Sequence, residues 1–508
     1  MFITLRNQIL KSLILLFGVV LLVLHLLVPI NLTAVDIGRH IKNGELILSG
    51  ESQVLYKNFY SFTYPEYPFI NHHWLFGVMS FVVFHLGGFP WLSVMYVLLL
   101  VLTLLLAFDT ARRYSGFNGA IFFFVLSFLL LTSRAEIRPE GFSVFWVALD
   151  FWLLARFCEG TIKRTLLFAI VPLVQILWVN THIFFFLGPM LIGIFLWQAI
   201  IAGKPRGEIR TLQQLGFLSL LVNLVNPSGL AGMLTPLNVF KKFGYPLAEN
   251  QSIFFMIHRF TDNATYKYFI IVALIMGIGM ILCWQREGKK ALPMIIFGVF
   301  ITFAAFNAVR LLMPFGFLCI PLNAYFYGPL VKRMNGVLLG IATAGMMLLV
   351  FCMPAYPAIG LMPGVNASAE FFKANGLRGP IFSNYDIGGY LIYHLQGYER
   401  VFVDNRQEAF PPDFFEKIYI PMQENEKIWK DIDGQDRFNV IYFYRQDLTP
   451  WGQKFLVDRV GDPQWAPVFV DYYTIIFLKR GSVNQSVIDR FELPKSMFKV
   501  KTLGERDS

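Results

Sequence analysis

Between residues 10 and 355 the chain passes through one apolar stretch after another, many of them long enough to cross a bilayer. A crossing helix needs about 20 apolar residues to match a hydrocarbon core of about 30 Å. Inside lipid, only helices and closed barrels satisfy every backbone N–H and C=O. This pattern excludes a cytosolic enzyme, a coiled coil, a disordered chain and a secreted disulfide scaffold. The composition agrees: of 508 residues, 56% are hydrophobic and 15% charged, with a mean hydropathy of +0.55. A soluble domain carries about 25% charged residues. The net charge of +10 is unevenly divided, with 25 basic and 13 acidic residues in 1–355 against 18 and 20 in 356–508. The basic excess therefore lies in the apolar part, where it follows the positive-inside rule, and nucleic acid is not an expected partner. Cys158, Cys283, Cys319 and Cys352 sit in or beside apolar runs with no CxxC pair, and read as small buried hydrophobes.

The basic residues thread the chain. Arg6 and Lys11 place the N-terminus in the cytoplasm, and Leu10–Ile30 is too long for a signal-peptide core and reads as a retained first span. Returns to the cytoplasm fall at Arg112 and Arg113, at Lys163 and Arg164, at Lys204, Arg206 and Arg210, at Arg286, Lys289 and Lys290, and at Lys332 and Arg333. The predicted spans lie near 10–30, 90–110, 118–133, 141–157, 165–180, 183–201, 212–225, 266–284, 291–308, 311–327 and 336–355. This gives about 11 transmembrane helices in a domain of residues 1–355, with a first outer loop at 31–88. Residues 74–86 are apolar but only about 20 Å long as a helix, so they are predicted to form an interfacial helix within that loop.

The remainder, expected outside the membrane, changes character. In residues 356–480 the strand candidates are 380–383, 400–404, 439–444 and 472–478, and the helix candidates are 367–375 and 414–431. Strands alternating with helices predict an extracytoplasmic α/β domain, followed by a polar C-terminal tail at 481–508. The fold class is therefore a polytopic α-helical membrane protein with a C-terminal extracytoplasmic α/β domain.

Chemistry is concentrated in the outer loops. Asp36 follows the first span, with Arg39 and His40 three and four residues on. If the loop is helical there, the three share one face. A carboxylate beside a cation and an imidazole suits a general base at a membrane surface; a helix cap with a surface ion pair accounts for the same spacing. Ionisable groups also gather at the lips of the spans: Arg134, Glu136, Arg138, Glu140, His182 and Arg310. Charge at membrane depth is costly and marks functional positions, and arginine suits phosphate through bidentate bonding. Pairs bracketing a tight turn are the competing reading for residues 134–140. His40, His72 and His73 are residue types that bind zinc, although adjacent histidines chelate one ion poorly.

The order of these motifs resembles the GT-C glycosyltransferases. It runs from the aspartate after the first span, through His40 and Gly44, to Asn58-Phe59-Tyr60-Ser61-Phe62-Thr63 and His72-His73-Trp74-Leu75 opening an apolar helix. The resemblance is nearest to the bacterial branch related to protein mannosyltransferases and the lipid A aminoarabinose transferase. Ser133–Glu140, Trp178–His182, Asn226–Gly229, Asn384–Leu391 and Val403–Arg406 fit the same comparison. It implies a polyprenyl-phosphate-linked sugar donor, a lipid, glycan or protein acceptor, and inversion at the anomeric carbon. It also implies an inner membrane of a bacterium, with the C-terminal domain in the periplasm or outside. Carried over residue by residue, Asp36 is the catalytic base, with Glu140 and His40 beside it as catalytic candidates. Arg138, Arg310 and Arg134 would bind the donor phosphate, and His72, His73 and His182 the substrates. The chain departs from the pattern in two places: Gly38-Arg39-His40 stands where relatives have Trp-His, and His73 where they have a glutamate. With no D-x-D motif in the outer loops, no cofactor is certain and a divalent metal remains open. Two other functions compete, a transporter or flippase of lipid-linked sugars and a catalytically inactive GT-C-like subunit. Asp150 is the clearest mid-span ionisable residue a transporter could use.

Overall fold

The computed structural model describes residues 2–238, 243–353 and 357–498. The expected boundary at 355/356 therefore lies outside the described residues. The chain forms two compact units. The first comprises Met1–Pro29, Phe89–Val239 and Pro246–Gly360; the second comprises Ile30–Gly88, Phe240–Tyr245 and Leu361–Ser508.

The first unit is helical. Seven helical stretches in the described residues are long and apolar enough to cross a membrane: Arg6–Leu26, Trp74–Leu131, Glu140–Cys158, Arg164–Thr181, Ile183–Ile201, Ala264–Asn307 and Val309–Arg333. Arg206–Leu221 and Gly336–Phe351, where further spans are predicted, are shorter apolar or mixed helices. Two of the seven hold more than one predicted span, because a glycine turns the chain between them. Helical bonding runs from Trp74 to Leu131, but φ is +67° at Gly88 and +75° at Gly116. A right-handed helix cannot pass through that region unbroken. The rings of Phe108 and Phe117 lie 5.5 Å apart, although nine helical residues rise about 13.5 Å, so the chain folds back at Gly116. Gly288, at φ +57°, likewise separates Ala264–Glu287 from Leu292–Asn307.

Aromatic and branched residues fill the core of this unit, among them Phe151, Trp178, Phe195, Phe269 and Phe315. The predicted cytoplasmic arginines do more than orient the chain. Asp109 accepts from Arg112 Nε at 2.6 Å and from Arg156 and Trp152 Nε1 at 2.8 Å, and it also pairs with Arg113.

The second unit carries the predicted α/β domain. Its mixed sheet has the order β1 (Ile381–Ser383), β2 (Val440–Tyr444), β4 (Thr474–Lys479), β3 (Trp465–Val470). Here β1 is parallel to β2, in the register Ile381 with Val440, and the other pairs are antiparallel. Three of the four predicted strands appear. Residues 400–404 do not form one: Val401 makes single bridges to Ser61 and Ile381, and the segment turns away to bury Asp404 and Arg406. Strand β3 is absent from the expectation because Pro467 interrupts its pattern. A proline is tolerated there at a sheet edge, beside the register shift between Pro467 and Phe469.

The helix Ala367–Ala374 matches its prediction, while the one expected over 414–431 is broken at Asn425. The Asn425 side chain caps the next helix, Glu426–Asp436, by accepting from Lys427 N and Ile428 N. Within the expected polar tail, Gln485–Phe491 is a helix that buries Ile488, and Leu493 N donates to Pro467 O. Residues 499–508 of the tail lie outside the described residues.

Candidate functional site

The candidate residues fall into two clusters, one in each unit. In the second unit, Asp36 is the N-cap of the helix Ile37–Leu48, and His40 N donates to Asp36 O as the first helical bond. The Asp36 carboxylate makes no capping bond to the helix. Its Oδ2 instead accepts from the Arg39 guanidinium at 3.2 Å and lies 3.5 Å from His40 Nε2. The helical face predicted for Asp36, Arg39 and His40 therefore exists, and the carboxylate is turned toward its side chains rather than toward backbone donors. Arg39 and His40 are 4% and 1% exposed, whereas the Asp36 side chain keeps 18% of its surface. The aspartate is thus the accessible member of the trio.

Neighbouring residues fix this arrangement. Arg39 Nε donates to Asn405 Oδ1 at 3.0 Å. Gly44 and Gly77 bring Ile37–Leu48 against residues 74–87 at backbone distance, since a Cβ on Gly44 would sit 2.2 Å from Gly77 O. That approach sets the His40 ring edge-on to His73 at 5.6 Å and to Phe76 at 4.8 Å, with His72 beside His73 at 4.0 Å. Behind them, Asp404 binds Arg406 through both oxygens, at 2.8 and 2.7 Å, and Arg406 also donates to Asn58 Oδ1 and lies against Tyr60 and Phe69. Ser61 and Thr63 donate to Phe402 O, tying the first outer loop to the segment that holds Asn405.

In the first unit, Arg134 and Arg138 lie on the connection between Leu131 and Glu140, and Arg310 opens the last long span. All three converge on one carboxylate that the sequence reading did not single out, Glu249 in the short turn Ala248–Asn250. Its Oε2 accepts from Arg134 at 2.6 Å and from Arg138 at 3.3 Å, and its Oε1 lies 3.8 Å from Arg310. Burial works to raise the Glu249 carboxyl, but Arg134, then Arg138 and Arg310, outweigh it and hold the group down to about 2. Val309 N donates to Gln251 O, which joins this turn to the segment bearing Arg310.

Glu140 is buried and receives a bond from Arg134 at 3.3 Å. His182 Nδ1 lies 2.8 Å from Ser143 Oγ, which itself accepts from Trp178 Nε1, and the His182 ring meets Phe184 edge-on. The Arg310 guanidinium also lies over Phe184, at 5.8 Å. Arg134 Nε and Arg310 Nε are buried donors with no acceptor among the described residues, so the cluster has hydrogen-bonding capacity to spare. Of the predicted residues, Arg134, Arg138, Arg310 and Glu140 are brought together here, while Asp36, His40, His72 and His73 are brought together in the other unit.

Among the described residues, no group of three or more histidine, cysteine and acidic side chains could hold a metal ion.

No protein-family profile and no curated protein sequence matches the chain. Solved structures do match. The oligosaccharyltransferase AglB of Archaeoglobus fulgidus, in complex with an inhibitory peptide and a dolichol-phosphate, aligns at TM-score 0.58 and 10% identity, over 94% of this chain and 77% of its own. The same organism's oligosaccharyltransferase in complex with Zn and sulfate aligns at 0.58 and 11%, over 92% and 73%. ArnT of Cupriavidus metallidurans, bound to undecaprenyl phosphate, aligns at 0.55 and 11%, over 93% and 98%. At such identities the likeness is one of fold: the chain shares the fold of these oligosaccharyltransferase and ArnT structures.

Proposed function

We propose that the protein is a glycosyltransferase that moves a sugar from a polyprenyl-phosphate-linked donor to a hydroxyl of an acceptor, on the extracytoplasmic face of a bacterial inner membrane. The observation that carries this reading is the convergence of Arg134, Arg138 and Arg310, with donors to spare, in a unit built on the GT-C fold. The neighbours bind dolichol-phosphate and undecaprenyl phosphate, whose phosphate is the group such a cluster suits.

In this reading the acceptor hydroxyl gives its proton to the Asp36 carboxylate as its oxygen attacks the anomeric carbon. The bond from that carbon to the phosphate oxygen breaks, its electron pair passes to the phosphate, and the configuration inverts. Negative charge grows on the departing polyprenyl phosphate, and the three arginines stabilise it where it grows. Arg39 and His40 hold the Asp36 carboxylate in a single orientation, with Asn405 fixing Arg39. Glu140 orients Arg134. His182, His72 and His73 are proposed to contact the substrates.

The test is mass spectrometry of glycans and polyprenyl-linked sugars in membranes carrying the wild-type protein or Asp36→Asn at equal expression. Loss of a glycosylated product with accumulation of a lipid-linked donor is the expected result, and the mass difference identifies the sugar. Identical profiles would make Asp36 structural and move the flippase and inactive-subunit readings ahead.

A further inference from the structure

The arginine cluster is not an open cradle, because a carboxylate already sits in it. Glu249 places Oε2 against Arg134 and Arg138 and Oε1 toward Arg310. All four residues belong to the same unit, and the three arginine side chains are 12%, 19% and 20% exposed. Glu249 thus makes with two oxygens, and less completely, the contacts that a phosphate would make with three. Its Oε1 stops 3.8 Å from Arg310, beyond a normal hydrogen bond, and the Nε donors of Arg134 and Arg310 have no acceptor among the described residues. A second carboxylate, Glu140, pairs with Arg134 at 3.3 Å. Glu249 is thus the carboxylate that all three guanidiniums share.

We propose that Glu249 is a resident counter-anion, exchanged for the phosphate group of the ligand, and that it thereby sets the selectivity of the arginine cluster. This rests on the reading of Arg134, Arg138 and Arg310 as a phosphate site and adds a residue that works against binding. With the ligand absent, Glu249 supplies one negative charge shared by three partly buried guanidiniums. The departing polyprenyl phosphate is a monoester that brings roughly −1.5 to −2 charges and three acceptor oxygens, one for each arginine, so it displaces a group offering one charge and two oxygens. A carboxylate or uncharged lipid gains nothing by the exchange. Glu249 sits on a three-residue turn rather than within a long helix, so its withdrawal needs no movement of a span. Its return supplies a competing anion as the polyprenyl phosphate product leaves.

The experiment uses the purified full-length protein in detergent and measures the Kd of undecaprenyl phosphate, inorganic phosphate and undecaprenol for the wild type, Glu249→Gln, Glu249→Asp and Arg310→Ala. Glu249→Gln is expected to bind undecaprenyl phosphate about tenfold tighter, with a smaller gain for Glu249→Asp, whose carboxylate is drawn back by one methylene. Inorganic phosphate should gain in the same direction from a weaker starting affinity, and undecaprenol should not change. Unchanged or weaker phosphate binding in the glutamate variants, with wild-type binding intact and lost in Arg310→Ala, overturns the exchange and leaves the phosphate site standing. An undecaprenol gain equal to that of the phosphate lipid also overturns it. Failure of the wild type to bind undecaprenyl phosphate, or indifference to Arg310→Ala, would instead sink the phosphate reading itself. If thermal unfolding shows Glu249→Gln to be misfolded, Glu249→Asp carries the same comparison with the charge retained.

Discussion

Arg406 and Arg310 show two opposite uses of a guanidinium. Arg406 is 2% exposed, holds both oxygens of the fully buried Asp404, donates to Asn58 and lies against two aromatic rings. Replacing one partner of such a pair strands the other charge, at a cost of about 3–5 kcal/mol. Arg406→Met should therefore lower the unfolding temperature of the full protein sharply, whatever its effect on transfer, as a thermal melt in detergent would show. Arg310, by contrast, has a distant carboxylate and an unused donor. Arg310→Lys should leave the melt nearly unchanged and weaken undecaprenyl phosphate binding roughly tenfold, because a lysine lacks the planar fork. The arginines could be read from the sequence because charge at the end of an apolar span is conspicuous. Glu249 could not, since it lies in an unremarkable loop, 115 residues from Arg134. Asn405 could not be read as Arg39's partner, because a neutral amide carries no signal of its own.

Among the elements, the helix Ile37–Leu48 depends on a glycine that periodicity does not explain. A methyl group at Gly44 would meet the backbone of Gly77, which no rotamer change can relieve. Gly44→Ala should separate the two helices, disturb the His40–His73 contact and cost several degrees of melting temperature. Gly207→Ala, whose added methyl would meet nothing, should be neutral or slightly stabilising.

The helix Gly388–Leu395 carries a pH dependence. Burial, aided by Lys373 and Lys42, pushes the His394 imidazole down to about 3, with Nε2 3.1 Å from Asn366 Oδ1. A histidine kept neutral in the folded state and protonated near 6.5 when unfolded contributes no pH dependence above about 6.5. Stability is then lost as the pH falls from there toward 3. The wild type should therefore lose more melting temperature between pH 7.5 and pH 5 than His394→Gln does, by roughly a few degrees.

On the scale of the whole molecule, the threading by basic residues makes a prediction that composition alone cannot check. In a protein whose four native cysteines are replaced, a cysteine at Ser52 should react with a membrane-impermeant reagent added to intact spheroplasts. A cysteine at Lys289 should react only after the membrane is opened. Reversed labelling would place Asp36 in the cytoplasm and remove the basis for an extracytoplasmic acceptor. The structure contributes the seven stretches long enough to cross and the glycine breaks that divide two of them. It leaves the sidedness to the arginines and lysines.

Hydropathy by itself determined that this chain is a membrane protein, because burying an apolar backbone in lipid leaves the helix almost no competitor. It also marked the long apolar helices and separated them from a polar α/β region, and the spacing of Asp36, Arg39 and His40 foretold one helical face. Tertiary structure decided the rest, for physical reasons visible in particular residues. The segment at 400–404 has the pattern of a strand, but it gives up a ladder to bury the Asp404–Arg406 pair. Pro467 hides a strand that an edge position permits. The partners of the charged groups come from far along the chain, Glu249 for Arg134 and Asn405 for Arg39. A hydrogen bond between residues so distant in sequence leaves no periodicity to read; it is set only when the packed helices bring the two side chains together.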